Sequence, residues 1–178
     1  MPRQEGTTYI SGGASRKSLS LTGIVFQIGG VNVTTATTGA DTSLYTYTIP
    51  RNLLNCTGPT TNGKGLRVYS WGNKLLSANS ATTGIKLGST SVCSITRTAS
   101  SSLHVFEVWL FRTDIQKFDA YARQLDSTTG ALTYTAVNNA DVSVGSAIPL
   151  QVYCNQTDAN DMQFRGLIVE LLTEGMVE

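Results

Sequence analysis

Along most of its length the chain alternates short apolar, β-branched runs with clusters of turn-forming residues, the pattern of many short strands. The segment 19–28 (LSLTGIVFQI) runs into Gly29-Gly30, and 44–49 stops at Pro50, which has no amide hydrogen to give to a ladder. Asn62-Gly63-Lys64-Gly65 is a turn before 66–71, and 84–87 ends at Gly88 ahead of 92–96. The runs 103–112, 118–125, 132–137, 148–154 and 164–172 follow, with Asp126 to Gly130 and Asn138-Asn139 as punctuation. Period two is clearest in two of them. Ile148, Leu150, Val152 and Cys154 share one face against Pro149, Gln151, Tyr153 and Asn155; Leu66, Val68 and Ser70 oppose Arg67, Tyr69 and Trp71. The run 103–112 (LHVFEVWLFR) is apolar on both faces apart from His104 and Glu107, which predicts a central strand covered on both sides, within the sandwich or under a partner. No segment carries a convincing helical period, and 75–81 has room for one turn. About eight to ten strands predict an all-β domain, a single jelly-roll or Greek-key antiparallel β-sandwich. Residues 1–18 break the pattern: Gly12-Gly13 and three serines surround Arg16-Lys17, and Tyr9-Ile10 is an apolar anchor. The organisation read from the sequence is an N-terminal arm over 1–18, flexible or bound to a partner, and a sandwich over 19–178.

Composition narrows what such a domain can do. Of 178 residues 40% are hydrophobic, but only 14% are charged, well below the usual quarter, and the formal net charge is +1. No global field attracts nucleic acid or a membrane surface, and no apolar run approaches the roughly 18 residues of a membrane span. The N-terminal residues lack the apolar core of a secretory signal, so the expectation is synthesis and use without Sec export. Cys56, Cys93 and Cys154 have no C-x-x-C spacing and read as buried free thiols of a reducing compartment. The N-x-T triplets at Asn32, Asn55 and Asn155 are chance products of a Thr-rich chain.

Catalytic chemistry is sparse. His104 is the only histidine, set mid-strand between apolar residues, and reads as a satisfied or surface-facing strand residue rather than the base of a triad. No G-x-S-x-G or P-loop spacing occurs. Glu107, Asp114 and Asp119 are the nearest set of acids for a polysaccharide depolymerase, a disfavoured reading. Asp158-Ala159-Asn160-Asp161 is rich in oxygen but lacks the central Gly and terminal Glu of a calcium loop, and Asx-turn chemistry accounts for it. Tyr69, Trp71 and Trp109 are candidates for a sugar or base platform, core packing being the commoner fate of strand aromatics. No cofactor or metal is expected, and the chain does not read as an enzyme.

An ordered set of short pieces resembles a family of tailed-bacteriophage structural proteins. They are Thr48-Ile49-Pro50 with Leu53-Leu54; Gly65-Leu66-Arg67-Val68 with Trp71-Gly72; Asn79; and Lys86-Leu87-Gly88. Trp109 to Thr113 with Gln116 and Thr157 to Asp161 before Val169-Glu170-Leu171-Leu172 complete the set, which falls between Leu44 and Leu172. The resemblance implies a jelly-roll virion protein, of the capsid decoration (cement) type, made in the host cytoplasm. It would bind the outer head surface as a homotrimer and stabilise the major capsid protein shell, with no membrane or direct nucleic-acid contact. The first 40 or so residues lie outside the resemblance, and Tyr9, Ile10, Arg16 and Lys17 are the candidate attachment residues. The alternative is a tail or fibre module that binds host glycans through Tyr69, Trp71, Asp158 and Asp161.

Overall fold

The computed structural model describes residues 9–11, 14–16, 23–51, 53–54, 64–75, 79–97, 102–114, 116–126, 132–142 and 146–173. They form twelve strands and, among the described residues, no helix. In chain order these are β1 (Tyr9–Ser11), β2 (Ala14–Arg16), β3 (Gly23–Val33), β4 (Thr42–Ile49), β5 (Lys64–Lys74) and β6 (Ala81–Leu87). β7 (Thr90–Arg97), β8 (Ser102–Asp114), β9 (Lys117–Asp126), β10 (Leu132–Asp141), β11 (Ile148–Gln156) and β12 (Met162–Thr173) follow. β1 and β2 pair only with each other. The other strands make a six-stranded sheet in the order β10-β9-β8-β5-β12-β3 and a four-stranded sheet in the order β4-β11-β6-β7, every described pairing antiparallel.

The connections identify the architecture. Apart from the hairpins β6–β7 and β8–β9–β10, each step along the sandwich strands crosses from one sheet to the other. Take away β9 and β10, and two four-stranded sheets remain, β3-β12-β5-β8 over β4-β11-β6-β7, the two interlocked Greek keys of a jelly roll. The sequence-based fold class therefore holds, with a β9–β10 hairpin added on the β8 edge.

Period-two patterning sends one set of side chains between the sheets. Leu66 and Val68 of β5, Phe106, Val108 and Leu110 of β8, Leu150 and Val152 of β11 and Leu167 and Val169 of β12 are all fully buried in one core cluster. Phe26 and Tyr47 stack at 5.0 Å and close the side where β3 faces β4. The Tyr45 hydroxyl donates to the Phe164 carbonyl across the layers, 3.3 Å away. β7 lies against β9 and β10 at the opposite side, so the added hairpin also covers core.

Three expectations change. β3 continues through Gly29-Gly30 to Val33, because Gly30 takes a φ of +78° and the strand stays paired with β12 across irregularities in the ladder. β8 is central, as expected, but the described residues supply no second cover, since Leu103 and Phe111 stand exposed on its outer side. His104 is not at the surface: it is fully buried on the inner side of β8, edge-on to Phe164 at 5.0 Å, and among the described residues no hydrogen-bond partner meets either ring nitrogen. Burial, then the charge of Arg97, pushes its pKa down to about 3, which holds the imidazole neutral.

Candidate functional site

The outer face of the six-stranded sheet is built row by row by strand register. One row runs Glu170, Arg67, Trp109, Tyr121, Ala136 from β12 to β10. The next runs Ile168, Tyr69, Glu107, Arg123, Tyr134, and a third runs Gly166, Trp71, Val105, Leu125, Leu132. Side chains that are directly opposite across antiparallel strands touch, so these rows are contacts as well as positions.

At the centre sits a covered carboxylate. Glu107 points outward, yet its side chain is only 2% exposed, because two arginines fold over it. Arg67 Nε donates to Glu107 Oε1 at 2.5 Å, and Arg123 Nε and Nη2 both reach Oε2 at 2.7 Å. Arg67 also reaches Glu170 through Nη1 at 3.3 Å. Both guanidiniums lie over the Trp109 ring, Arg123 at 5.0 Å and Arg67 at 5.9 Å from its centroid. Trp109 is thus capped by cations, an arrangement that holds the arginines still.

Next to this knot stand the open aromatics. Tyr121 packs at 5.5 Å from Trp109 and 6.0 Å from Tyr134, and the two tyrosines are 41% and 53% exposed. Leu125 and Leu132, paired in register, carry the apolar surface on towards Leu103 at one end of the face; Phe111 stands at the other. Among the described residues, every exposed large hydrophobic side chain lies on this sheet, Ile24 of β3 included. The outer face of the four-stranded sheet is of another kind, with Ser43, Thr46, Thr48, Ser94 and Thr96 exposed along β4 and β7.

The residues singled out from sequence fall in several places. Tyr69 and Trp71 share the outer face, 5.8 Å apart. Trp71 lies flat on the backbone of Gly166, where a Cβ would come within 2.1 Å of the ring, so it is a packed floor rather than a free platform. Asp158 and Asp161 do not join them. Asp161 is fully buried with its Oδ2 2.7 Å from Lys74 Nζ, so an ammonium sits against the carboxylate that a calcium ion would need. Asp158 accepts from Asn79 at 3.1 Å, and Asn160, at φ 60°, donates its amide to the Thr35 carbonyl at 2.8 Å. This loop is a structural knot that ties β11–β12 to the chain after β3, and Gln156 strengthens it by donating to the Thr35 and Thr37 carbonyls while accepting from Met162 N. Tyr9, Ile10 and Arg16 fall in the β1–β2 ladder, where the backbone alone is described, and Lys17 lies outside the described residues. Cys93 and Cys154 are buried free thiols, whose pKa values burial pushes up to about 12; Cys56 lies outside the described residues.

The disfavoured acids do not form a pair. Asp119 lies opposite Phe111, four residues along β8 from Glu107, or about 13 Å at about 3.3 Å per residue, beyond the carboxylate separations of glycosidases. The side chain of Asp114 is not among those described. Sequence reasoning missed Tyr121, Tyr134, Arg67 and Arg123. The signal available was the alternation Tyr121-x-Arg123-x-Leu125, whose intervening Ala122 and Gln124 are the buried ones.

The fold and face define a jelly-roll module with an exposed aromatic and guanidinium surface on an added hairpin. No protein-family model and no curated protein matches the sequence. Among solved structures, the chain is similar to the CBM2 module of the evolved Dit of Lactobacillus casei BL23 phage J-1, with a TM-score of 0.42 and 11% identity over 74% of this chain and 70% of that one.

Proposed function

We propose that the protein is a binding module of a tailed-phage virion that grips saccharide chains through the outer face of its six-stranded sheet. One observation carries this reading: Tyr121 and Tyr134, 6.0 Å apart, stand open to solvent beside guanidiniums already fixed by Glu107. Pyranose C–H faces stack on exposed aromatic rings, and fixed donors beside the rings orient sugar hydroxyls. Exposed tyrosines and leucines confined to one face mark a surface with a partner. The ordered sequence resemblance to phage structural proteins supports the virion setting, and no reacting group is required. The site differs from the one first expected of a glycan module: it takes Tyr121 and Tyr134 in place of Asp158 and Asp161. A glycan array probed with the full chain tests the proposal. Saturable binding that Tyr134→Ala abolishes is the expected result, and a blank array with folded protein would overturn it.

A second reading rests on a different part of the same face. Leu103, Leu125 and Leu132 form a mainly aliphatic end of exposed side chains, suited to contact with another protein. In this reading the chain is a capsid decoration protein. Homotrimers bury the aliphatic end, and the 1–18 arm, with Tyr9, Ile10, Arg16 and Lys17, reaches the major capsid protein. Three weak grips on one shell combine through effective concentration. Light scattering that gives three chains per particle, with saturable binding to capsids, supports it; a stable monomer that ignores capsids rejects it.

A further inference from the structure

The glycan reading leaves open which saccharides the face prefers, and the ion-pair geometry bears on that. We infer that the site is selective for anionic saccharides, those bearing a carboxylate or a phosphodiester. This rests on the proposed glycan function and narrows it. One carboxylate, Glu107, is shared by two guanidiniums, one on each oxygen. Glu170 adds a second negative charge, but on the Arg67 side alone, at 3.3 Å. The cluster is formally neutral as a whole, but among the described residues Arg123 pairs only with the carboxylate it shares, which makes it the less compensated of the two cations; it is directly opposite Tyr134 in the ladder and one row from Tyr121.

The donors left over are well placed. A guanidinium has five N–H groups. Arg123 gives Glu107 its Nε and Nη2, so Nη1 faces away from that carboxylate; Arg67 gives Nε to Glu107 and Nη1 to Glu170, leaving Nη2. The two side chains are 44% and 38% exposed, so water and solutes reach them. Because Glu107 and the Trp109 ring already fix both guanidiniums, little rotamer freedom remains to be lost on binding. A sugar ring stacked on Tyr134 or Tyr121 presents its substituents to Arg123. A carboxylate or phosphate there accepts charge-assisted hydrogen bonds, which a neutral hydroxymethyl group does not match.

The experiment is titration calorimetry of the full chain against three probes: a neutral dextran oligosaccharide, an oligogalacturonate and a polyol-phosphate oligomer of teichoic-acid type. The two acidic probes separate carboxylate from phosphate recognition. The expected result is binding of at least one acidic probe about tenfold or more tighter than the neutral one, a preference of the size that charged hydrogen bonds supply. The preference should shrink as salt rises from low to molar concentration and disappear in Arg123→Gln, while Tyr134→Ala loses all three probes. If Arg123→Gln does not fold, the salt dependence of the wild type decides. Equal binding of all three probes, insensitive to salt, overturns the anionic preference and leaves the glycan reading standing. No binding to these or any arrayed saccharide overturns both.

Discussion

Glu107 shows how little a residue's type says about its role. An acid on the outward side of a strand is ordinarily a solvated surface charge, yet here Arg67 and Arg123 cover it and it braces the face. His104 makes the opposite point, since it is buried and held neutral at an energetic cost. The consequence for stability has a definite sign. Above the ordinary imidazole value of 6.5 neither state binds a proton and His104 adds no pH-dependent penalty. As pH falls below 6.5 the unfolded chain takes up a proton that the folded one refuses until about 3, so stability drops by up to about 1.4 kcal/mol per pH unit. At the alkaline end Cys93 and Cys154, pushed from 9.0 to about 12, act in reverse: the unfolded thiols ionise first and stability falls as pH rises past 9.0. Urea midpoints should therefore be flat from about pH 7 to 8.5 and decline towards pH 5, and His104→Phe should flatten the acid limb. A wild-type midpoint that holds from pH 7 to 5 would contradict this account. The Lys74–Asp161 pair gives a second residue-scale test. Both partners are fully buried, so Lys74→Met takes the ammonium away from a buried carboxylate and should cost about 3–5 kcal/mol, whereas Lys74→Met with Asp161→Leu should recover much of that loss in a denaturation cycle.

At the scale of the element, the two sides of β9 do different work. Phe118, Ala120, Ala122 and Gln124 face inward and are buried, while Tyr121, Arg123 and Leu125 face outward. Substitutions one step apart should thus separate stability from binding. Phe118→Ala should cost about 3–5 kcal/mol of unfolding free energy through the cavity it leaves. Tyr134→Ala, on the paired strand and 53% exposed, should shift stability by only about 0.5 kcal/mol and still abolish saccharide binding. Equal effects of the two on the melting temperature would show that the outer tyrosines are core after all. The strands themselves were largely legible: each apolar run became a strand in the sandwich, residues 19–22 lying outside the described residues, because period two is a local property; their ends were less so, since β3 runs on through Gly29-Gly30 and β10 through Asn138-Asn139, where the ladder shifts register instead of stopping. The site was not legible, for three physical reasons. Arg67, Glu107 and Arg123 come from three strands, 40 and 16 residues apart, and meet only through register. Trp71 and Trp109 are the larger aromatics and drew attention, but a glycine floor and two guanidiniums engage them. Asp161 looked like an exposed ligand until Lys74 met it inside the fold.

For the whole molecule, the arrangement is a frame with an attachment. The eight strands of the jelly roll make two closed layers, and the β9–β10 hairpin widens one of them into the face that holds four of the exposed large hydrophobics, Tyr121, Leu125, Leu132 and Tyr134. Among the described residues the opposite face, with its serines and threonines, has no comparable apolar surface. Its most prominent aromatic, Tyr153, is itself buried against Gly84 and beneath Lys86, whose Nζ lies 4.8 Å from the ring centroid. Such asymmetry means that one face pays a solvation cost in isolation that a partner relieves, and the other does not. Charge placed on each face should then have unequal effects. Leu125→Glu and Leu132→Glu put a carboxylate into the apolar stretch, and should prevent both saccharide binding and any self-association seen by light scattering. Thr46→Glu and Ser94→Glu, at exposed positions on the hydroxyl-rich face, should leave both unchanged. Removal of residues 1–18 separates the two proposed readings on the same instruments. A saccharide module keeps its affinity without the arm, because the tyrosines and guanidiniums all lie within the sandwich, whereas a decoration protein keeps its fold but loses capsid attachment.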